Sequence, residues 1–358
     1  MNRPFLWGWA AAAIGCFILL LRIRATRARA MVLITFGVTC AMFLAEAAAA
    51  VYNARRSTKG SVISEYSPPS VTNYDHELGF ALKPGARVLH TRKWADSTLF
   101  SVTYTITDAG VRRTRGNARG DTWLFVGCSF TFGEGVEDYE TLPARFSEQL
   151  GWKANVVNLA VFGYGPHQML RMLETGRLGG AERPVKHVIY QAIPHHVTRA
   201  VGRASWDLDG PSYRISGDSI RFAGPFHSSA GIRAIRILRS SDLGHIVDWR
   251  YRSMAPSDAD IELYARIVEK AAALSRKKLG APFTILFWDE DGDRTNKRIF
   301  DRLVATGLPV IRTTSFLTRR ELDSLQIPHD RHPTPEVYRR LAVGLAAHFG
   351  ETSPNKAR

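Results

Sequence analysis

Cysteine is scarce in this sequence, and neither tandem repeats nor low-complexity segments are present. The chain has three cysteines in 358 residues. Cys16 and Cys40 lie within apolar segments, and Cys128 directly precedes a serine. This number and placement exclude a disulfide framework. Hydrophobic residues make up 45% of the chain, which excludes global disorder and allows a sizeable core.

Acidic residues are almost missing from the first sixty positions. That stretch holds eight Lys and Arg residues against one acid, Glu46, and so carries +7 of the formal charge of +15. The other +8 is spread over 298 residues without a basic helix interleaved with aromatics. Phosphate binding needs a concentrated basic footprint, so nucleic acid is not an expected partner.

Two apolar runs lie within this basic stretch. Pro4–Leu21 has no charged residue, and Met31–Val51 has only Glu46. Each run is long enough to cross a hydrocarbon core of about 30 Å at about 1.5 Å per residue. We therefore predict a membrane anchor over residues 1–59, with transmembrane helices at about 4–21 and 31–51 and the lipid bilayer as a partner. A signal peptide is the alternative for the first run, but no convincing small-residue cleavage site precedes the basic residues.

The connector between the two runs predicts the topology. Residues 22–29 contain four arginines, which favours a cytoplasmic loop and places the large domain on the non-cytoplasmic side. Arg55, Arg56 and Lys59 after the second run argue in the other direction.

Beyond the anchor, the sequence predicts a linker and β-rich lead-in over 60–120, a main domain over 121–350 and a tail over 351–358. In the main domain, apolar strands alternate with amphipathic helices, which predicts a three-layer α/β/α fold with a parallel sheet. The predicted strands are 122–127, 154–160, 186–193, 282–288 and 308–312, and the predicted helices are 141–150, 167–177, 258–277, 292–305 and 334–349. A hairpin insertion is predicted over 205–223, and a basic helical segment over 228–254.

A serine stands at the end of the first predicted strand. The apolar run Trp123–Val126 stops at Gly127-Cys128-Ser129, and Gly133 follows. Open α/β sheets bind ligands at the carboxyl ends of their strands. Ser129 is therefore the candidate nucleophile.

An acid and a histidine precede the last predicted helix. Asp330 lies two residues before His332, and on extended backbone this spacing puts both side chains on one side. The carboxylate can then hold His332 with Nε2 free to accept a serine proton, which a serine needs in order to attack. A metal site in this segment is a weaker alternative, because no second cluster of acids and histidines lies nearby.

A glycine-rich turn follows the second predicted strand and contains Gly163. Glycine lets a backbone N–H point into a site without a Cβ in the way. Acyl transfer needs such donors where the tetrahedral oxyanion forms. The backbone N–H groups of Ser129 and Gly163 are the candidate donors.

Together, these three stretches resemble the SGNH (GDSL-type) hydrolase family over roughly residues 121–350. The segment 127–133 resembles the family's nucleophile block, Asn158–Gly163 its glycine block, and Asp330–Pro333 its closing acid–histidine block. The lead-in at 75–84 is similar to segments that precede such domains in envelope-associated members. The resemblance implies a serine esterase or acyltransferase with a Ser129–His332–Asp330 triad and no cofactor or metal.

The sequence departs from the family pattern in two places. Cys128 stands where the family has an aspartate, and Pro194-His195-His196 stands where it has an asparagine that completes the oxyanion hole. His195 is the candidate replacement donor, and His196 is its neighbour. Cys128 as nucleophile stays open, because thiols are intrinsically better attackers.

The expected substrate is an ester-bearing small molecule, glycan or lipid of the cell envelope. One alternative is a catalytically impaired relative that binds a glycan or joins envelope-assembly proteins. A lipase or thioesterase acting on acyl chains is another. Calcium binding at Asp289–Asp293 is disfavoured, because the ligand spacing is too short for an EF-hand loop.

Overall fold

The structure, a computed structural model, describes residues 4–57, 62–181, 184–289 and 293–350. The predicted tail at 351–358, Lys59 and the middle of the acidic segment, residues 290–292, lie outside these ranges. The chain forms two units. One comprises Met1–Ser61 with His227–Met254, and the other comprises Val62–Phe226 with Ala255–Arg358. We name them after the predictions made from the sequence, as the anchor unit and the hydrolase-like unit.

The secondary structure elements are numbered along the chain. The helices are α1 (Pro4–Arg22), α2 (Thr26–Ser57), α3 (Ser129–Phe132), α4 (Leu142–Gln149), α5 (Pro166–Thr175), α6 (His196–Ala200), α7 (Ala230–Leu238), α8 (Asp242–Ser253), α9 (Asp258–Leu274), α10 (Arg294–Val304), α11 (Arg319–Ser324) and α12 (Pro335–His348). The strands are β1 (Val62–Ser67), β2 (Thr72–Asp75), β3 (Gly79–Leu82), β4 (Arg87–Trp94), β5 (Ser97–Thr105), β6 (Thr122–Val126), β7 (Asn155–Asn158), β8 (Val185–Ala192), β9 (Pro211–Ser216), β10 (Ser219–Pro225), β11 (Phe283–Phe287) and β12 (Val310–Arg312).

A parallel sheet organises the hydrolase-like unit. Within the described residues, its strands run in the order β7-β6-β8-β11-β12, and every neighbouring pair is parallel. Numbered along the chain, this is the flavodoxin-like order 2-1-3-4-5. The order reverses direction at β6, so a crevice opens at the carboxyl ends of β6 and β8, where such sheets bind ligands.

Both faces of this sheet are covered, as the continuous apolar runs predict. Leu124 and Val126 of β6 point into one core cluster, with residues of α5, α9 and α10. Trp123 and Phe125 point into the other, with residues of α4 and α12. The three-layer α/β/α fold is thus confirmed.

The β-rich lead-in has an antiparallel sheet in the order β1-β4-β5. Its alternating residues Phe100, Val102 and Tyr104 are buried in the same core cluster as Leu124 and Val126. The lead-in therefore packs on the parallel-sheet domain. Strands β9 and β10 form a hairpin at the predicted insertion.

The anchor unit contains the two predicted apolar helices. With 19 and 32 residues, α1 and α2 are about 28 Å and 48 Å long. Both are long and apolar enough to cross a membrane, although a signal sequence passes the same test. The rings of Phe17 and Phe36 pack between them at 6.1 Å.

Candidate active site

Ser129 begins a single helical turn directly after β6. Its side chain is almost buried, and its carbonyl accepts hydrogen bonds from Gly133 N at 2.9 Å and Glu134 N at 3.0 Å. Gly133 closes the turn with φ +84°, a left-handed conformation that glycine adopts without strain. The turn therefore holds Ser129 at the carboxyl edge of the sheet, as the sequence predicts.

Side chains from outside this segment brace the turn. The buried Arg112 guanidinium donates to the carbonyls of Phe132 at 2.7 Å, Gly133 at 2.5 Å and Val136 at 2.6 Å. Asn158 Nδ2 donates to the carbonyl of Thr131 at 3.1 Å. These donors satisfy carbonyls that a short helix leaves open at its end.

One further contact ties the turn to β8. Thr131 Oγ1 donates to Gln191 Oε1 at 2.8 Å. The Cys128 side chain makes no capping hydrogen bond. The turn is therefore braced by residues other than Cys128.

Asp330 and His332 meet through a hydrogen bond between Asp330 Oδ1 and His332 Nδ1. The Asp330 side chain is fully buried, and that of His332 is nearly so. The backbone between them is a turn rather than the expected extended segment, because His329 and Arg331 have φ of +62° and +71°. The hydrogen bond from Ile327 N to His332 O, at 2.8 Å, closes this turn.

A buried ion-pair network surrounds this pair. Arg92 Nη1 on β4 lies 2.6 Å from Asp330 Oδ2 and 2.9 Å from Glu134 Oε1. Glu134 Oε2 in turn lies 3.5 Å from His332 Nε2. The β-rich lead-in therefore contributes a cation to the site, which sequence reasoning missed.

The network sets the protonation of the acid. Burial raises the pKa of Asp330, but the hydrogen bond and charge of His332, together with Arg92, outweigh it and hold this pKa below the ordinary value of 3.8. Asp330 is therefore a carboxylate at neutral pH. Burial, with the charge of Arg92, lowers the pKa of the nearby His90 to about 3, so His90 is neutral.

His332 lies beside the segment that carries Ser129. The rings of His332 and Phe130, the residue after Ser129, are 5.3 Å apart. Within the described ranges, however, no hydrogen bond joins Ser129 to His332. The hydroxyl of Ser129 instead lies 4.0 Å from Cys128 Sγ.

Gly163 has φ +83°, and its carbonyl accepts a hydrogen bond from Trp206 Nε1 at 3.1 Å. An added Cβ would lie 2.8 Å from that nitrogen, so the position has no room for a side chain. Trp206 itself is 57% exposed. The candidate oxyanion turn is thus held by an aromatic residue that sequence reasoning did not single out.

The two histidines after β8 differ in environment. His195 is exposed at the start of α6, whereas His196 is buried and its Nδ1 lies 2.6 Å from Tyr190 OH. Ile193 N also donates to this Nδ1, at 3.5 Å. Burial lowers the pKa of His196 well below its ordinary value, so the ring is neutral with its proton on Nε2. The role of His195 as an oxyanion donor stays a prediction.

His329 and Asp289 belong to the two segments considered as alternative metal sites, and both have other partners. His329 stacks on Trp94 with ring centroids 3.7 Å apart. Asp289 accepts hydrogen bonds from Arg312 at 3.0 Å and Thr314 at 2.8 Å. Among the described residues, no group of three or more His, Cys, Asp or Glu could hold a metal ion.

Comparisons with known proteins give fold neighbours only. No family model and no curated protein matches the sequence. Solved structures that match include a lipolytic protein of the G-D-S-L family from Veillonella parvula, with 11% identity, a TM-score of 0.39, and coverage of 64% of this chain and 99% of that one. The esterase EstA from a Pseudoalteromonas species matches with 11% identity, a TM-score of 0.37 and coverage of 64% and 97%. The salicylyl-acyltransferase SsfX3 matches with 11% identity, a TM-score of 0.36 and coverage of 65% and 56%. A likeness at this level does not carry an activity or a substrate to this chain.

Proposed function

We propose that this protein is a membrane-anchored serine esterase or O-acyltransferase with a Ser129–His332–Asp330 triad. The observation that carries the proposal is the buried Asp330–His332 pair beside the turn that presents Ser129. This turn lies at the carboxyl edge of β6, where the strand order reverses. A histidine oriented by a buried carboxylate is the arrangement that activates a serine hydroxyl.

The chemistry follows from these positions. Nε2 of His332 takes the Ser129 proton as Oγ bonds to the ester carbonyl carbon, and the backbone N–H groups of Ser129 and Gly163 hold the oxyanion. The imidazolium gives its proton to the leaving alcohol as the C–O bond breaks. Water, or an acceptor hydroxyl in a transferase, then loses a proton to His332 and attacks the acyl carbon, which frees Ser129. Each oxyanion donor contributes about 2.7–4 kcal/mol of transition-state stabilisation.

Glu134 is a second carboxylate, besides Asp330, that lies close to the proposed base His332. Two carboxylates, Glu134 and Asp330, face one guanidinium, Arg92, so an imidazolium at His332 completes the charge balance. In the reactive arrangement His332 exchanges its Glu134 contact for the Ser129 hydroxyl. Catalytic hydrogen bonds are often long in ligand-free structures and tighten with substrate.

The substrate proposal is an ester on a cell-envelope glycan or lipid. Trp206 supports a glycan, because an exposed indole beside the oxyanion turn offers a flat apolar face for a sugar ring. The two apolar helices support a location at the membrane. The four arginines of the connector at 22–29 favour a cytoplasmic loop, and we therefore propose that the hydrolase-like unit lies on the non-cytoplasmic side.

One observation favours a second candidate, a non-catalytic glycan-binding or assembly protein. His332 Nε2 contacts Glu134 rather than Ser129. If that contact persists with ligand bound, the base never reaches the nucleophile.

Hydrolysis of aryl esters by the full-length protein in detergent tests the proposal. We expect wild type and the exposed-serine control Ser101→Ala to hydrolyse aryl acetate equally, and Ser129→Ala to fall at least about 10³-fold. Cys128→Ala should retain activity, and its loss would point to a cysteine nucleophile. Faster hydrolysis of long-chain esters than of the acetate would favour the lipase alternative. A folded wild type without hydrolysis of any ester would favour the binding protein.

A further inference from the structure

We infer that the segment His227–Met254 is a membrane-interfacial element, with helix α8 lying in the headgroup region beside the end of the apolar span of α2. The partner is the lipid bilayer itself. This inference rests on the membrane anchoring in the proposed function. It assigns a membrane role to a segment that begins 168 positions after residue 59, the end of the predicted anchor.

Helix α8 buries both of its aspartates and, with the residue that follows it, exposes an apolar stripe. Asp242, Gly244 and Asp248 are buried. Val247, Tyr251 and Met254, which follow one another at spacings of four and three residues, are 54%, 38% and 58% exposed. A helix on a water-facing surface shows the opposite arrangement. An exposed apolar stripe fits lipid.

One of the two buried acids of α8, Asp248, is neutralised within the anchor unit. Asp248 Oδ1 accepts from Arg239 at 2.9 Å, and Asp248 Oδ2 lies 2.5 Å from Arg252. Over the whole segment, five arginines stand against two aspartates. A surplus of arginine beside an apolar stripe complements anionic lipid headgroups.

Two side chains of α2 fasten the beginning of α8. Glu46 accepts hydrogen bonds from Asp242 N at 2.5 Å and Leu243 N at 3.1 Å, and Asn53 Nδ2 donates to Asp242 O at 3.0 Å. A carboxylate at a helix N-terminus satisfies open N–H groups and is favoured by the helix dipole. These contacts explain why the apolar run Met31–Val51 carries one acid.

The position of Glu46 sets the depth of the attachment. It lies five residues before Val51, the end of the apolar run, which corresponds to about 7.5 Å along a helix. Interfacial helices bury their apolar face about 5–10 Å into the headgroup and acyl boundary. At the same level α2 exposes Leu44 and Val51, so α2 also offers lipid an apolar surface there.

Site-specific quenching by lipid tests the inference on the full chain. In a background with Cys16, Cys40 and Cys128 changed to alanine, Val247→Cys is labelled with a nitrobenzoxadiazole fluorophore. The protein is then placed in phosphatidylcholine and phosphatidylglycerol vesicles with or without doxyl-labelled lipid. His245→Cys, exposed on the opposite side of α8, is the matched control, and Leu44→Cys marks the lipid-facing surface of α2.

We expect label at position 247 to be quenched as strongly as label at 44, and several-fold more than label at 245. Quenching at 44 with equal, weak quenching at 247 and 245 overturns the inference and leaves the anchor intact. Blue-shifted but unquenched emission at 247 shows that protein covers the stripe, which also overturns it. Absence of quenching at 44 overturns membrane anchoring as well, while aryl-ester hydrolysis by the same samples reports separately on the triad.

Discussion

At the scale of single residues, the site depends on one cation shared by two acids. Arg92 contacts both Asp330 and Glu134, and the Asp330 side chain is fully buried. Removing one partner of a buried ion pair leaves an uncompensated charge, which typically costs about 3–5 kcal/mol. Sequence reasoning could not find this contact, because Arg92 and Asp330 are 238 positions apart and Arg92 lies in an alternating strand without a motif.

Arg92→Ala should lower the unfolding free energy by about 3 kcal/mol and reduce ester hydrolysis, since Asp330 and Glu134 lose their shared cation. The neighbouring Lys93→Ala is the matched control. Lys93 pairs with Glu65 on the surface, where such a pair contributes about 0–1 kcal/mol. Denaturant titration of the detergent-solubilised protein measures both. Equal stabilities for the two variants would contradict the buried network.

Asp330→Asn should lower hydrolysis by about 10³–10⁴-fold, because an amide no longer holds the imidazole in the required tautomer. Its stability effect should depend on pH. The folded-state pKa of Asp330 lies below its ordinary value, so the carboxylate stabilises the fold above about pH 4, and this contribution is lost as pH falls through the folded pKa. The stability difference between wild type and variant should therefore shrink from about pH 7 to about pH 3. A difference that stays constant would show that Asp330 is not the ionised partner.

At the scale of elements, the four-residue helix α3 is too short to hold its own conformation. Arg112 compensates by donating to three carbonyls of this turn and the loop that follows. Its guanidinium also lies 4.4 Å from the Tyr104 ring centroid and 4.6 Å from that of Phe132. The turn that carries Ser129 is therefore fixed from the lead-in side of the unit.

Arg112→Met should destabilise the protein by about 3–5 kcal/mol and abolish reaction of Ser129, since the carbonyls lose their donors and the turn loosens. The adjacent Arg113 is exposed, so Arg113→Met should change stability by less than about 0.5 kcal/mol. Thermal unfolding of the two variants compares them directly. Comparable melting temperatures would show that Arg112 does not stabilise this turn.

Gly163→Ala should reduce hydrolysis by at least about 10²-fold, because an alanine at φ +83° is strained and its Cβ collides with Trp206. Adding Trp206→Ala relieves the collision but not the strain, so the double variant should recover only part of the rate. Full activity of the single variant would exclude Gly163 N–H as an oxyanion donor.

How far the sequence predicts these elements depends on whether the signal is local. The strand ending at Val126 and the helix over Asp258–Leu274 carry periodic apolar patterns, and both form as predicted. The Asp330–His332 contact also forms, but through a left-handed residue at 331 that no local rule for arginine favours. The attachment of α8 to Glu46 was not predicted, because it joins positions 196 residues apart.

At the scale of the whole molecule, fold and candidate site are linked by strand order. Because β6 lies between β7 and β8, the turns after these three strands meet at one edge of the sheet. The segments after β6, β7 and β8 carry Ser129, Gly163 and His195 respectively. The closing segment with Asp330 and His332 precedes α12, which packs on the face that also holds α4.

The central claim is that Ser129 is a nucleophile activated by His332. Reaction of the folded full-length protein with a fluorophosphonate, followed by mass-spectrometric mapping of the modified peptide, tests it most directly. We predict one phosphonyl adduct on Ser129, formed at least about 10²-fold more slowly in His332→Ala. An adduct on Cys128, or no adduct on a protein whose fold is verified, would contradict the account.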